Sequence, residues 1–174
     1  MQRSLPTTPA QPALYTAEQR TRRDASPWTM VQAILAPLQF LVFLVSVVLV
    51  IRYLVGGEGF ALATASVVIK TLVLYTIMVT GALWERDVFG QYLFAGPFFW
   101  EDVVSMLVIG THTAYLIAVF TGALGPVGQM LLALIAYATY VVNAVQFVLK
   151  LRQARMAPVA PAPPTGSLAY GAGK

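Results

Sequence analysis

The chain has 174 residues, of which 58% are hydrophobic and only 10% are charged, and its mean hydropathy is +0.73. A soluble domain carries roughly a quarter charged residues, so this composition excludes an ordinary soluble protein and predicts an integral membrane protein. The lack of cysteine excludes disulfides, thiolate nucleophiles and iron–sulfur clusters, and the single histidine excludes a His-rich zinc site.

The net charge of +4 is concentrated in the two ends of the sequence. Flanking basic residues suit an anionic lipid leaflet better than a nucleic acid, so we expect the lipid bilayer as a partner and no nucleic acid.

Residues 1–25 are predicted to form a cytoplasmic segment ahead of the membrane domain. Residues 1–15 are rich in Pro, Thr and Gln, which is typical of disorder. Thr16 and Gln19 have the spacing of a capping box, which predicts a short basic amphipathic helix to about Asp24 at the membrane surface. Ser26 and Pro27 then read as the N-cap and first residue of the next helix.

Residues 26–155 are predicted to form an all-α, four-helix bundle that spans the membrane. Each apolar run is long enough to cross a bilayer as a helix. Glycine-rich stretches at 56–59 and 122–128 separate the runs. The expected spans are about 29–54, 60–84, 100–121 and 129–150. The Pro/Ala/Gly-rich tail, residues 156–174, is expected to be disordered.

The distribution of basic residues predicts the orientation. Of the 11 Lys and Arg residues, Arg52 lies at the far end of the first span and Lys70 lies within the second. The other nine flank the opposite membrane face. The positive-inside rule therefore places both termini and the 85–101 connection in the cytoplasm.

Polar residues recur on one face of each span. They are Gln32, Gln39 and Ser46 in the first; Thr71, Tyr75 and Glu85 in the second; Glu101, Ser105, His112 and Tyr115 in the third; and Thr139, Asn143, Gln146 and Lys150 in the fourth. Because polar groups are costly in lipid, these faces should point into the bundle. For Gln39, Ser46 and Thr139 we expect contacts that only join helices. For Asn143 and Gln146 a joining role and a role in a site both stay open.

The segment from Trp84 to His112 is the candidate functional region. It holds four of the seven acidic residues, two of the three tryptophans and the only histidine.

Glu85 is a candidate proton donor. It lies at the C-terminal end of the second span, where the helix dipole and burial both disfavour a negative charge. A protonated carboxylic acid is what general acid catalysis requires. The alternative is an exposed acid paired with Arg86.

Glu101 and Asp102 open the third span, where acids are also ordinary helix-start residues. Adjacent helical residues point about 100° apart, so we expect at most one of them to face the interior. The polar face favours Glu101, with Asp102 beside it. Such a group could stabilise a developing positive charge or orient water.

His112 and Lys70 are expected at similar depth inside the membrane. His112 is either a packed histidine bonded to the hydroxyl of Tyr115 or Thr111, or a functional group such as an axial ligand. Lys70 either meets His112 or a ligand carboxylate, or extends toward the membrane surface.

Four segments resemble one known family. They are residues 15–28 (YTAEQRTRRDASPW), 84–94 (WERDVFGQYLF), 98–105 (FFWEDVVS) and 137–147 (YATYVVNAVQF). They are similar to the 3-vinyl bacteriochlorophyllide hydratases of phototrophic bacteria, over about residues 14–155. The resemblance implies a hydro-lyase of the bacterial inner membrane. Such an enzyme adds water to the C3-vinyl group of a chlorophyllide or bacteriochlorophyllide and gives a 1-hydroxyethyl group. It implies no cofactor of its own, since the magnesium belongs to the substrate.

For that reaction we assign roles from the residues themselves. Glu85 donates the proton, and Glu101, helped by Asp102, stabilises the cation and positions water. The expected substrate contacts are Trp84, Tyr92, Phe99, Trp100, Asn143 and Gln146, with His112 as a candidate axial ligand to the substrate's magnesium.

His112 lies roughly 16 Å beyond Glu101 along a straight helix, farther than magnesium lies from the vinyl group. The site is therefore either shallow, at Glu85 and Glu101, or deep, at Lys70 and His112, and we favour the shallow one. A non-catalytic pigment-binding or carrier subunit is the alternative function, because a lone transmembrane histidine suits that role as well.

Overall fold

A computed structural model describes residues 14–156, with side chains as far as Gln153. This part of the chain forms five α-helices. They are α1 (Ala17–Ala25), α2 (Pro27–Gly56), α3 (Phe60–Phe89), α4 (Phe99–Thr121) and α5 (Pro126–Met156), with a 3-10 turn at Gly96–Phe98 before α4. The expected disorder of residues 1–13 and 157–174 lies outside the described residues.

Helices α2 to α5 are each long and apolar enough to cross a membrane, which confirms the prediction of four spans. The predicted boundaries were less accurate. Helix α3 continues five residues beyond Trp84, until Gly90 ends it with φ +83°. Glu85 therefore lies within the helix, and Asp87 lies on it as well. Helix α5 begins at Pro126. Proline suits this position because the first N–H groups of a helix have no partner within the helix, and proline has no N–H group.

Helix α1 begins with the expected capping box. The backbone N–H of Gln19 donates to Thr16 Oγ1 (3.2 Å), and the backbone N–H of Thr16 donates to Gln19 Oε1 (2.9 Å). Ser26 is the N-cap residue of α2, but its hydroxyl donates to Asp87 Oδ2 of α3 (2.7 Å) and not to its own helix. This contact ties the junction of α1 and α2 to the end of α3.

The bundle consists of two antiparallel helix hairpins. Helix α2 packs chiefly on α3, and α4 packs chiefly on α5. Fully buried side chains from all four helices fill the space between the hairpins, among them Val50, Val67, Val108 and Met130.

Hydroxyl groups join the helices across this core. Ser46 Oγ lies 2.7 Å from Ser66 Oγ and 2.5 Å from the hydroxyl of Tyr137, and Thr111 Oγ1 lies 3.1 Å from Thr139 Oγ1. The expected joining role of Ser46 and Thr139 is thus confirmed. Gln39 is buried, and its Oε1 has no hydrogen-bond partner within residues 14–156.

The two ends of the bundle differ in polarity. The α2–α3 and α4–α5 turns lie at one end. The other end carries α1, the α3–α4 connection and the last turns of α5. It also holds Glu85, Glu101 and Asp102, and we refer to it as the acidic end.

Candidate active site

Two carboxyl groups meet inside the acidic end. Glu85, near the end of α3, is 5% exposed, and Asp102, in the first turn of α4, is 3% exposed. Their carboxyl groups lie within hydrogen-bonding reach of each other. The two helices therefore present a carboxyl pair, and Glu85 is not the exposed acid that the alternative interpretation described.

The loop between α3 and α4 covers this pair with its backbone. The N–H of Phe94 donates to Asp102 Oδ2 (2.7 Å), and the N–H of Ala95 donates to Glu85 Oε2 (3.2 Å). Phe94 has φ +60°, a left-handed conformation that is unusual for a residue with a bulky side chain. That conformation is part of the turn that aims two consecutive N–H groups at two different carboxyls.

Glu101 faces the other way, toward α5. Lys150 Nζ donates to Glu101 Oε1 (3.0 Å) and Oε2 (3.1 Å). The side-chain amide of Asn143 donates to the backbone carbonyl of Glu101 and to Ser105 Oγ, both at 3.0 Å. The first two turns of α4 are therefore held on α5 by one ion pair and two neutral hydrogen bonds.

The expectation that only one of Glu101 and Asp102 faces the interior was wrong. Both are buried, at 7% and 3% exposure. Their carboxyls point about 100° apart, as helix geometry requires. Both directions lead into protein because α4 begins between α5 on the Glu101 side and α3 with its loop on the Asp102 side.

Aromatic rings surround the pair in two groups. An inner group packs together beneath the α3–α4 loop. In it Tyr15 and Phe98 are buried, and Trp84, Phe89 and Phe147 are partly buried. Burial raises the pKa of Tyr15 to about 12, although the guanidinium of Arg23 over its ring lowers it, so its hydroxyl stays protonated at neutral pH.

A second group of rings is exposed around the loop. Its members are Phe94 (40% exposed), Phe99 (43%), Tyr92 (52%) and Trp100 (69%). Phe94 and Phe99 contact each other, with ring centroids 5.8 Å apart, and the guanidinium carbon of Arg86 lies 5.0 Å from the centroid of Tyr92. We call these four rings the aromatic rim.

Trp84 is separated from the other expected substrate contacts. Its indole N–H donates to Thr29 Oγ1 of α2 (3.0 Å), and its ring packs edge-on against Phe89 and Phe98. In this arrangement Trp84 supports the loop from inside, whereas Tyr92, Phe99 and Trp100 are open to a ligand.

Gln146 lies on the same face of α5 as Asn143 and Lys150. Its Oε1 is buried and has no hydrogen-bond partner among residues 14–156. Both amide hydrogens of Asn143 are used by α4. Gln146 Oε1 is thus a buried acceptor that water or a ligand can use.

A second polar group lies deep in the bundle. Lys70 and His112 are fully buried, and Lys70 Nζ lies 2.7 Å from His112 Nε2. The Nδ1–H group of His112 donates to the backbone carbonyl of Val108 (2.8 Å), which leaves Nε2 as an acceptor for the lysine. Lys70 Nζ also lies 4.0 Å from the ring centroid of Tyr140.

Of the two alternatives for Lys70, contact with His112 is confirmed and extension toward the membrane surface is wrong. The hydroxyl partner that one alternative gave to His112 was also wrong. Tyr115 and Thr111 do not bond to the imidazole, because Val108 and Lys70 occupy both ring nitrogens. Asp102 and His112 are ten residues apart on α4, roughly 15 Å. The deep pair and the carboxyl pair are therefore separate sites.

Sequence reasoning missed the α5 side of the acidic end. Lys150 was placed on the polar face of α5, but it was not connected with Glu101. The spacing of Asn143, Gln146 and Lys150 at i, i+3 and i+7 was the available signal, because it puts all three on the face that meets α4. The backbone N–H groups of Phe94 and Ala95 could not be predicted as donors to the carboxyls, because every residue except proline has one and the sequence does not show where it points.

Comparison with known proteins agrees with the earlier resemblance. A family model described as 2-vinyl bacteriochlorophyllide hydratase matches residues 15–153. The chain belongs to this family. A protein named 2-vinyl bacteriochlorophyllide hydratase from Rhodobacter capsulatus is 69% identical over 117 residues, which cover 67% of this chain and 68% of that protein.

A protein of the same name from Cereibacter sphaeroides is 69% identical over 119 residues, covering 67% of this chain and 74% of that protein. No solved structure matches. The family match extends from Tyr15 to Gln153, so it includes the carboxyl pair, the Glu101–Lys150 ion pair and the aromatic rings described above.

Proposed function

We propose that this chain is a hydratase of bacteriochlorophyll biosynthesis that converts the vinyl group of a chlorophyllide or bacteriochlorophyllide into a 1-hydroxyethyl group. The 2-vinyl group of the family name and the C3-vinyl group are the same substituent under two numbering schemes. Family membership supports the reaction. The buried carboxyl pair of Glu85 and Asp102 is the observation that supports the site.

The reaction needs an acid, a water molecule and a place for a transient positive charge. A proton adds to the terminal vinyl carbon, which becomes a methyl group, and the positive charge develops on the neighbouring carbon beside the conjugated macrocycle. The oxygen of water bonds to that carbon and loses a proton. No electrons are exchanged, so we propose that no cofactor takes part and that magnesium enters only within the substrate.

The carboxyl pair can supply both acid and counter-charge. Two carboxyl groups at hydrogen-bonding range hold one proton between them, because two adjacent negative charges repel. In our assignment Glu85 gives this proton to the vinyl carbon. The two carboxylates that result stabilise the cation, and the proton released by water restores the pair.

Asp102 thus takes the role that the sequence pattern favoured for Glu101. Both oxygens of Glu101 are bound by Lys150, which already neutralises that carboxylate. Asp102 instead contacts Glu85 directly and is held by one loop amide.

The aromatic rim is the surface that suits the macrocycle. A flat, apolar pigment matches exposed aromatic rings at the level where Trp and Tyr accumulate in membranes, and Arg86 beside Tyr92 offers a cation to the propionate of the pigment. Because the backbone of residues 94–95 covers both carboxyls, this loop moves aside when the vinyl group enters.

The proposed location is the bacterial inner membrane, with the acidic end facing the cytoplasm. The excess of basic residues at that end supports this orientation. The pigment then meets the enzyme at the cytoplasmic headgroup region.

The test is replacement of each carboxyl by its amide in membranes that contain vinyl pigment. We expect Glu85→Gln and Asp102→Asn to lower the rate of hydration about 100-fold or more, the scale of a general acid. Mass spectrometry scores the gain of one water per pigment. Glu58→Gln, an exposed acid at the opposite end, is the control. Full activity of both amide variants would remove this site.

The same assay separates catalysis from the carrier alternative. A carrier would co-purify with pigment whose vinyl group is unchanged. That alternative relied on His112 as an axial ligand, and both of its ring nitrogens are hydrogen-bonded within the bundle.

A further inference from the structure

We propose that Glu101 is a positioning residue: its ion pair with Lys150 fixes the rotation of α4 that points Asp102 at Glu85. This inference rests on the proposed function, since it concerns how the carboxyl pair is assembled.

The contacts of Glu101 all lead to one neighbouring helix. Its carboxylate accepts two hydrogen bonds from Lys150 Nζ, and its backbone carbonyl accepts one from Asn143. These three bonds join the first turn of α4 to two points of α5 that are seven residues, roughly 10 Å, apart. Two anchors at different heights resist rotation of α4 about its own axis.

Rotation matters because Asp102 follows Glu101 directly. If the first turn of α4 turns so that Glu101 leaves α5, Asp102 moves by the same angle and leaves both Glu85 and the N–H of Phe94. A displacement of about 1 Å at a reacting group costs on the order of 100-fold in rate. An anchor on α5 thus affects the chemistry without touching the substrate.

Lys150 is itself held in place for this task. Its side chain is only 23% exposed, and Nζ lies 5.8 Å from the ring centroid of Phe98, at the end of the α3–α4 loop. The ammonium group of Lys150 therefore binds Glu101 of α4 and also lies over Phe98 of the loop that covers the carboxyl pair.

The deciding experiment removes both charges together. Glu101→Gln leaves Lys150 without its partner, and Lys150→Met leaves a buried carboxylate without its partner. The double variant leaves no unpaired charge. We expect each single variant to lower kcat about tenfold with KM within twofold. The double variant should be about as slow as either single variant and not slower, because all three lack the same ion pair.

Two further variants separate positioning from a general loss of structure. Lys150→Arg keeps the charge and should retain most of kcat. Arg152→Gln removes an exposed charge from the same helix and should leave the rate unchanged. All rates are scaled to the amount of folded protein, measured by helical circular dichroism, so that a structural defect alone gives normal kcat at reduced yield.

Normal kcat in Lys150→Met beside a slow Glu101→Gln would overturn this inference, because Glu101 would then act without its ion pair. A double variant with normal kcat would also overturn it, because the rate would then not depend on the pair. Normal kcat per folded protein in both single variants would also overturn it. Absence of hydration by the unmodified chain is a different result, since it contradicts the proposed function and leaves the α4–α5 geometry as it is.

Discussion

At the scale of single residues, the deep pair is the clearest case of mutual dependence. Lys70 and His112 are both fully buried, and each satisfies the other across two helices. Leaving one buried polar group unpaired costs about 1–3 kcal/mol, whereas replacing both partners by apolar groups of similar shape is nearly neutral. The two residues should therefore behave as a unit.

We expect Lys70→Met and His112→Leu each to lower the free energy of unfolding by about 1–3 kcal/mol, and the double variant by less than the sum. Denaturation in detergent micelles measures this. The double variant should keep most of its hydration activity, because the carboxyl pair lies roughly 15 Å away. A strictly additive cycle would contradict the mutual dependence of Lys70 and His112, and an inactive but folded double variant would contradict the separation of the two sites.

Phe94 is the second residue whose substitution has a specific expected effect on stability, because it is a non-glycine residue at φ +60°. A residue with a Cβ atom pays roughly 1–2 kcal/mol in this region, and glycine does not. Phe94→Ala and Phe94→Gly both remove the ring that contacts Phe99. They differ mainly in the Cβ atom.

We therefore expect Phe94→Gly to be more stable than Phe94→Ala by about 1 kcal/mol or less, since the greater freedom of glycine in the unfolded chain offsets part of the relief. Thermal unfolding in the same detergent compares the two. If the alanine variant is the more stable one, the left-handed conformation of the loop is not the resting one.

At the scale of elements, α1 is a short helix held by its cap and its anchors. Residues 17–25 contribute no buried side chain. The capping box of Thr16 and Gln19, the bond from Ser26 to Asp87 and the burial of Tyr15 are what hold it. Loss of an N-cap side chain costs about 1 kcal/mol, which is large for nine residues.

Thr16→Ala should therefore loosen α1 and leave the four spans intact. Limited trypsin digestion at Arg20, Arg22 and Arg23 should become several-fold faster, because cleavage needs local opening. Thr21→Ala, on the same helix but outside the cap, is the control. Equal digestion of Thr16→Ala and the unmodified chain would show that the anchors alone hold α1.

The elements also show what the sequence can predict. Apolar runs predicted the four spans, and the glycine stretches predicted both turns, because those signals are local. The inward direction of Asp102 was not predictable, since it depends on where α3 and its loop lie relative to α4. The backbone donors of the loop arise only after the chain has folded, and side-chain patterns do not record them.

At the scale of the whole molecule, the interior of the bundle is mostly apolar, with hydroxyl groups that hydrogen-bond between helices, and the carboxyl groups of the site lie together at one end. The carboxyl pair, the Glu101–Lys150 ion pair, α1 and the aromatic rim all lie at the acidic end. This polarity makes the orientation of the protein in the membrane a functional matter, because it decides from which side pigment and water reach the carboxyls.

The chain contains no cysteine, so single introduced cysteines can report the orientation without background labelling. We expect Asp24→Cys and Gln91→Cys, at the acidic end, to resist a membrane-impermeant maleimide added to intact cells and to react after the membrane is opened. Glu58→Cys and Gly125→Cys, in the two opposite turns, should react in intact cells. All four positions avoid the carboxyl pair and its ion pair, so hydration activity can confirm that each labelled protein is folded.

If Asp24→Cys and Gln91→Cys react first, the positive-inside assignment is reversed and the pigment must enter from the periplasmic side. Labelling of one acidic-end position and not the other would contradict the two spans, α2 and α3, that separate them.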